Sequence, residues 1–327
     1  MKKRPLGVVS DFVVERLPRE LHSPAFADIV TSLMRGKSLI CRKALMDAET
    51  RALASLDLKM IEAAMVHSGI AVPPSLAGLV DAFSVSRVRA ITYEEIVLVN
   101  PHEDLRTFTT GEVGETEAAF YNMHRTIETQ LVYAISSMHS AIAELRNGDA
   151  PASAHALEHV VAQANGLPGM VHALGLMTPG HFPTFRRYLM SHPTRNLHGP
   201  SGAFSAGIPT LEILFRGNEL PEKYIQHLKT NWEYLPLRGH DALTNAIRSK
   251  DRSLMALWRE RGEDRLLKPA IDALGEIFNT FRRAHYNAVG RQLPEALKDE
   301  TPGTAGEVKP GEFLRDRMES ARYRGEQ

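Results

Sequence analysis

The sequence predicts an all-α protein, a helical bundle preceded by a smaller helical part. Three observations predict it. Apolar residues recur at three- and four-residue steps through most of the 327 residues. Glycine and proline clusters fall between these patterns rather than inside them. No strand–glycine-rich-loop–helix unit occurs. Neither GxGxxG nor a GxxxxGK-type loop is present, which excludes the phosphate-cradling α/β folds.

The elements follow in order. Over 49–67, Leu53, Leu56, Ile61 and Met65 lie near helical spacing, and Gly69 follows them. Pro73-Pro74 then breaks the chain. Thr92–Asn100 has the β-branched run of a short strand, ended by Pro101. Helical patterns cover about 115–146, 153–164, 179–191, 208–217, 221–230, 240–248, 251–261 and 269–292. Breakers sit at Asn147–Pro151, Gly199–Gly202 and Pro302-Gly303. No period of 20–50 residues marks a solenoid. The expected division is a small N-terminal helical region over 1–100 and a larger helical domain over 101–327.

Composition narrows the function. Lys+Arg and Asp+Glu both number 39, and this charge balance argues against nucleic-acid binding and against an electrostatic membrane anchor. No apolar run reaches the roughly 18 residues of a membrane span. The basic start, MKKRPLGVVSD, is interrupted by Asp11 before it can form a secretory apolar region. A single cysteine, Cys41, fits a reducing cytoplasm. Fourteen histidines are a slight excess.

Two of those histidines lie on apolar stripes. Ile271, Leu274, Phe278, Phe281, His285 and Ala288 share one helical face. Phe120, His124, Ile127, Leu131, Ile135, Met138 and Ile142 share another. A lone inward histidine is most often a hydrogen-bonded core residue. Two on long helices leave a core role and metal chemistry equally open, since neutral imidazole is the commonest metal ligand. Glu-x-x-His and HExxH are both absent, which removes the carboxylate di-iron bundles and the zincins. His155 and His159 have i,i+4 spacing but read as a solvated surface pair. What remains is a haem held by one proximal histidine, with the second histidine on the distal side.

Further groups suit a substrate. In Thr178–Met190, Thr178 reads as an N-cap and Pro179 as the first helical residue. Phe182, Phe185 and Leu189 form its apolar stripe. Arg186 flanks that stripe, where a guanidinium suits bidentate capture of a carboxylate, or else a structural salt bridge, and Arg187 points away. Gly202–Gly207 is a small-residue loop able to bring backbone close to a flat ligand. Thr301–Gly306 reads as a mobile loop.

With these residues in view, the chain resembles the histidine-ligated haem dioxygenases of aromatic amino acids. That group comprises indoleamine 2,3-dioxygenase, tryptophan 2,3-dioxygenase and the ring-rearranging enzyme of the pyrrolnitrin pathway. The resemblance runs from about Ile91 to about Met318. Phe120-x-x-x-His124-x-x-x-Glu128 resembles the distal motif, and Phe182-x-x-x-Arg186-x-Tyr188-Leu189 resembles the carboxylate-binding segment. Ser205-Ala206-Gly207 is similar to the loop over the haem pocket. Tyr234-Leu-Pro and Phe281-Arg-Arg-Ala-His285 resemble the run to the proximal histidine. Pro302–Gly306 followed by Phe313-Leu314 resembles the closing loop, whose threonine would be Thr304.

The resemblance implies haem b as cofactor, with His285 as its proximal iron ligand and Ser205, Ala206 and Gly207 beside it. Dioxygen would be the co-substrate and tryptophan or a related indole amino acid the substrate. His124 would be the catalytic distal histidine. Phe120, Phe182, Arg186, Ser205, Ala206 and Thr304 would bind substrate. The implied reaction adds dioxygen across the indole C2–C3 bond. Phe204, Ala305 and Glu307 depart from the family pattern. They keep a second reading open, mono-oxygenation or ring rearrangement of a substituted tryptophan in secondary metabolism. A third reading is a non-catalytic haem sensor. The family includes monomers and larger assemblies, so a homo-oligomer is compatible with all three.

Overall fold

A computed structural model describes residues 3–35, 43, 46–85, 88–190, 198–298, 300, 309–320 and 322–323, and every regular element among them is helical. The α-helices are α1 (Val8–Glu15), α2 (Leu17–Glu20), α3 (Phe26–Met34), α4 (Ala48–His67), α5 (Pro74–Phe83) and α6 (Gly111–Asn147). Then come α7 (Ala150–Ala164), α8 (Leu167–Gly175), α9 (His181–Arg186), α10 (Gly207–Arg216), α11 (Glu222–Thr230) and α12 (Leu237–Arg248). The last four are α13 (Leu254–Glu260), α14 (Lys268–Gln292), α15 (Pro294–Leu297) and α16 (Pro310–Ser320). No helix of the described residues is long and apolar enough to cross a membrane.

Among the described residues, one compact unit contains 3–122 and 178–204. The other contains 123–177, 205–298 and 309–323. The boundary expected near residue 100 does not coincide with this division, because α6 contributes to both units and 178–204 groups with the N-terminal residues.

In the first unit, α4 starts where Asp47 accepts a hydrogen bond from the Thr50 amide at 2.6 Å. Asp57, Lys59 and Glu62 on α4 are buried along with its leucines, so each must find a partner inside. Lys59 donates to the Val88 and Ala90 carbonyls and to the Glu95 carboxylate. Arg106 pairs with Asp57 at 2.8 Å, both fully buried. Arg89 pairs with Glu62 and Asp81.

These partners explain one departure from the sequence reading. Thr92–Asn100 is not a strand, since Glu94–Val99 forms a π-helical turn closed by the Asn100 amide on the Glu95 carbonyl at 3.1 Å. The β-branched run suits a strand locally. The need to bring Glu95 to Lys59 and to the Ser55 hydroxyl (2.6 Å) decides otherwise.

A second departure lies at α9. Thr178 and Pro179 precede the helix, which begins at His181 after Gly180. Gly180 has φ 88°, a left-handed conformation that turns the chain before the first helical residue and suits glycine.

In the second unit, α14 packs against α7, α8 and α16. Ile271, Leu274, Phe278 and Ala288 are buried on it, as its periodicity predicts. Helix α7 is capped by the Asp149 carboxylate on the Ala152 amide (2.9 Å) and tied to α6 by the Ser153 hydroxyl on the Ala141 carbonyl (2.9 Å).

Candidate functional site

The residues singled out in the sequence fall into two sets, one in each unit. In the first unit, the Phe120 ring on α6 meets Phe182 at 5.2 Å and Phe185 at 5.6 Å, and Phe182 meets Phe185 edge-on at 5.3 Å. Phe185 is fully buried, whereas Phe120 and Phe182 keep part of their surface. Of the two arginines that follow, Arg187 is exposed. It lies over the Tyr188 ring at 4.7 Å and donates to the Tyr188 hydroxyl at 2.6 Å. Arg186 is half-buried. Arg187 is thus committed to Tyr188, and Arg186 is the residue of the pair on the sheltered side.

Sequence reading missed the group that holds this cluster in place. Glu117, fully buried on α6, accepts hydrogen bonds from the Phe108 and Thr109 amides, the Thr109 hydroxyl (2.6 Å) and the Tyr121 hydroxyl (2.7 Å). Burial pushes its carboxyl up to about 7, against the pull of those donors. Glu117 clamps the 107–109 segment onto α6 one turn before Phe120. Only its position among polar residues marks it in the sequence. Elsewhere in this unit a small cleft is lined by Lys59, Glu62, His67, Arg89 and Tyr188. None of the expected site residues borders it, and Lys59, Glu62 and Arg89 already have partners.

In the second unit, the α6 stripe continues from His124 through Ile127, Leu131, Met138 and Ile142, all four buried. His285 on α14 is half-buried. Burial lowers its imidazole to about 4, and the positive charges of Arg317, His124 and Arg282 add to the effect. His285 is therefore neutral at physiological pH, and His124 lies within electrostatic reach of it.

The cations beside His285 have their own network. Glu212 on α10 is fully buried and pairs with Arg282 while accepting the Tyr224 hydroxyl at 3.0 Å. Burial alone would raise the Glu212 carboxyl, but Arg282 outweighs it and holds the group below its ordinary range. The Arg317 guanidinium lies over the Tyr224 ring at 4.2 Å and over Phe313 at 5.3 Å, and burial pushes it down. None of this was legible in sequence, because Glu212 and Arg282 lie 70 residues apart.

Ser205, Ala206 and Gly207 are buried at the start of α10. A Cβ on Gly207 would lie 2.9 Å from Leu131 Cδ1 and 3.1 Å from Glu128 Oε2. Glycine therefore lets this loop close directly onto α6, one turn beyond His124. Gly239 on α12 backs Ala206 in the same way. The structure thus gathers His124 and the Ser205–Gly207 loop on α6, with His285 within range of His124.

Thr304, Ala305, Glu307 and Cys41 lie outside the described residues. His155 and His159 are both exposed, as expected. Among the described residues no group of three or more His, Cys, Asp or Glu side chains gathers into a metal cluster. No model of a known protein family matches the chain, and no curated protein matches it.

The surroundings of His285 fit a haem in two respects. The imidazole is neutral and so can donate a lone pair. The charges that act on it are cations, which suits a prosthetic group carrying carboxylates.

Proposed function

We propose that this chain is a haem-dependent oxygenase of tryptophan or a related indole amino acid, adding both atoms of dioxygen across the indole C2–C3 bond. The observation that carries the proposal is the pairing of His285 and His124, one on each of two long helices. They lie within electrostatic reach of each other, and His285 is neutral. Haem, when bound through His285, would supply the activation of dioxygen.

The chain's own residues supply binding and orientation. His124 would accept a hydrogen bond from the indole N–H. Phe120 and Phe182 would pack on the aromatic ring, each keeping accessible surface for it. Arg186 would pair with the substrate carboxylate in bidentate geometry, and Thr304 would take the ammonium. Ser205, Ala206 and Gly207 would wall the pocket, held against α6 by the close approach at Gly207. Fixing three points of the substrate makes its encounter with dioxygen effectively intramolecular. Phe204 is fully buried where the family it resembles places glycine, and this favours the second reading, mono-oxygenation or rearrangement of a substituted indole.

Two measurements test the proposal. Purified protein should show a haem absorption band that His285→Ala loses and His124→Ala keeps. Turnover of tryptophan under isotopic dioxygen should place two labelled atoms in the product. One labelled atom, or turnover only with peroxide, transfers the assignment to the second reading. Haem without turnover of any indole amino acid leaves a sensor. Absence of a haem band in the wild type overturns all three.

A further inference from the structure

Helix α7 carries His155 and His159 one turn apart on its exposed face. Their Nε2 atoms are 3.3 Å apart. That distance discriminates between coordination geometries. Two imidazole nitrogens about 2.0–2.1 Å from a zinc ion, at the tetrahedral angle of about 109°, are separated by roughly 3.3–3.4 Å. At the 90° angle of an octahedral or square-planar site the separation falls to about 2.9 Å. The pair therefore has the bite of a tetrahedral cation.

The Glu158 carboxylate lies 3.6 Å from His155 Nδ1, beyond hydrogen-bond distance, and adds negative charge beside the pair. The helix beneath is held at its start by the Asp149 cap and along its length by the Ser153 bond to α6. The two rings thus stand on a fixed element, and little ordering is needed to bring them together.

We propose that His155 and His159 form a bidentate site for a divalent zinc-like cation, with the remaining coordination positions filled by water or by a small ligand from solution. The site stands apart from the haem reading, since neither residue takes part in it. Without metal, the same two nitrogens can share one proton in a hydrogen bond.

The test is calorimetric titration of the full, metal-stripped chain with zinc chloride. One zinc ion should bind per chain. His155→Ala and His159→Ala should each weaken binding by at least tenfold with unchanged helical circular dichroism, while His285→Ala should bind as the wild type does. Cobalt(II) in place of zinc should give the intense visible absorption of a tetrahedral ion. Equal zinc binding by the wild type and the double alanine variant overturns the proposal. Loss of binding in His285→Ala overturns it as well, by moving the ion elsewhere. A weak octahedral cobalt spectrum overturns the assigned geometry and with it the site.

Discussion

Around helix α4 the buried cations and carboxylates close into pairs, whereas around helix α14 the cations outnumber the carboxylates. Lys59 spends its three hydrogens on two carbonyls and Glu95, and Arg106 spends its own on Asp57 and the carbonyls of Lys3 and Asp104. Beside α14, Glu212 pairs with Arg282, but Arg317 lies on aromatic rings, and the charges that act on His285 are positive. A closed network inside a protein fixes one arrangement of backbone. A cationic surplus next to a neutral imidazole fixes no such arrangement by itself, and under the proposed function it is the side that would receive the carboxylate-bearing cofactor.

The largest expected effect breaks a closed pair. Arg106→Met leaves Asp57 buried without its counter-charge and should cost about 3–5 kcal/mol in urea unfolding. A cost under about 1 kcal/mol would erase the contrast between the regions.

Next comes Arg186, the carboxylate partner under the proposed function. Arg186→Ala should weaken tryptophan affinity by roughly 2–4 kcal/mol, read by equilibrium titration, with an unchanged melting temperature. If affinity holds and the melting temperature drops instead, Arg186 belongs to the scaffold.

Glu117 should show a pH dependence of known sign. Its folded pKa, raised to about 7, exceeds the ordinary carboxylate value, so folding favours the protonated form. That contribution is complete below the ordinary value of about 4.5 and is lost as pH rises through about 7, on the order of 3 kcal/mol. Urea midpoints at pH 5 and pH 8 should differ accordingly in the wild type, and Glu117→Gln should flatten the difference. An increase in stability over that interval would mean that the four donors dominate over burial.

The smallest effect on stability should come from the residue that the proposal makes the haem ligand. His285→Ala removes a half-buried neutral ring that sits among cations, so it should cost less than about 1 kcal/mol. The same variant should lose its haem absorption. A cost of several kcal/mol would place His285 with Lys59 and Arg106 among the structural groups.

The helices of the second unit were legible because their apolar residues repeat over many turns. The stripe of α14 appears in sequence as it appears in space. Helices α1, α3 and α8 are short, so their periodicity is weak beside that of α6 or α14. The Glu94–Val99 segment misled for a different reason. Its β-branched residues suit a strand, and the partner that makes it π-helical, Lys59, lies 36 residues upstream of Glu95. The aromatic and histidine positions of the site were legible as stripe residues. Glu117, Glu212 and Arg317 were not, because isolated charged residues in a helical sequence look the same whether solvated or buried.

From its sequence alone this protein is committed to helices, to balanced charge, and to two histidines on inward faces, because hydrophobic periodicity and residue chemistry are local properties. Tertiary structure decided the rest. It placed Arg106 on Asp57 and Arg282 on Glu212, closed Gly207 onto α6, and surrounded His285 with cations at a depth where its proton is expelled. Each of these depends on groups tens of residues apart meeting in a medium of low polarity, where a charge is stable only in the company the fold provides.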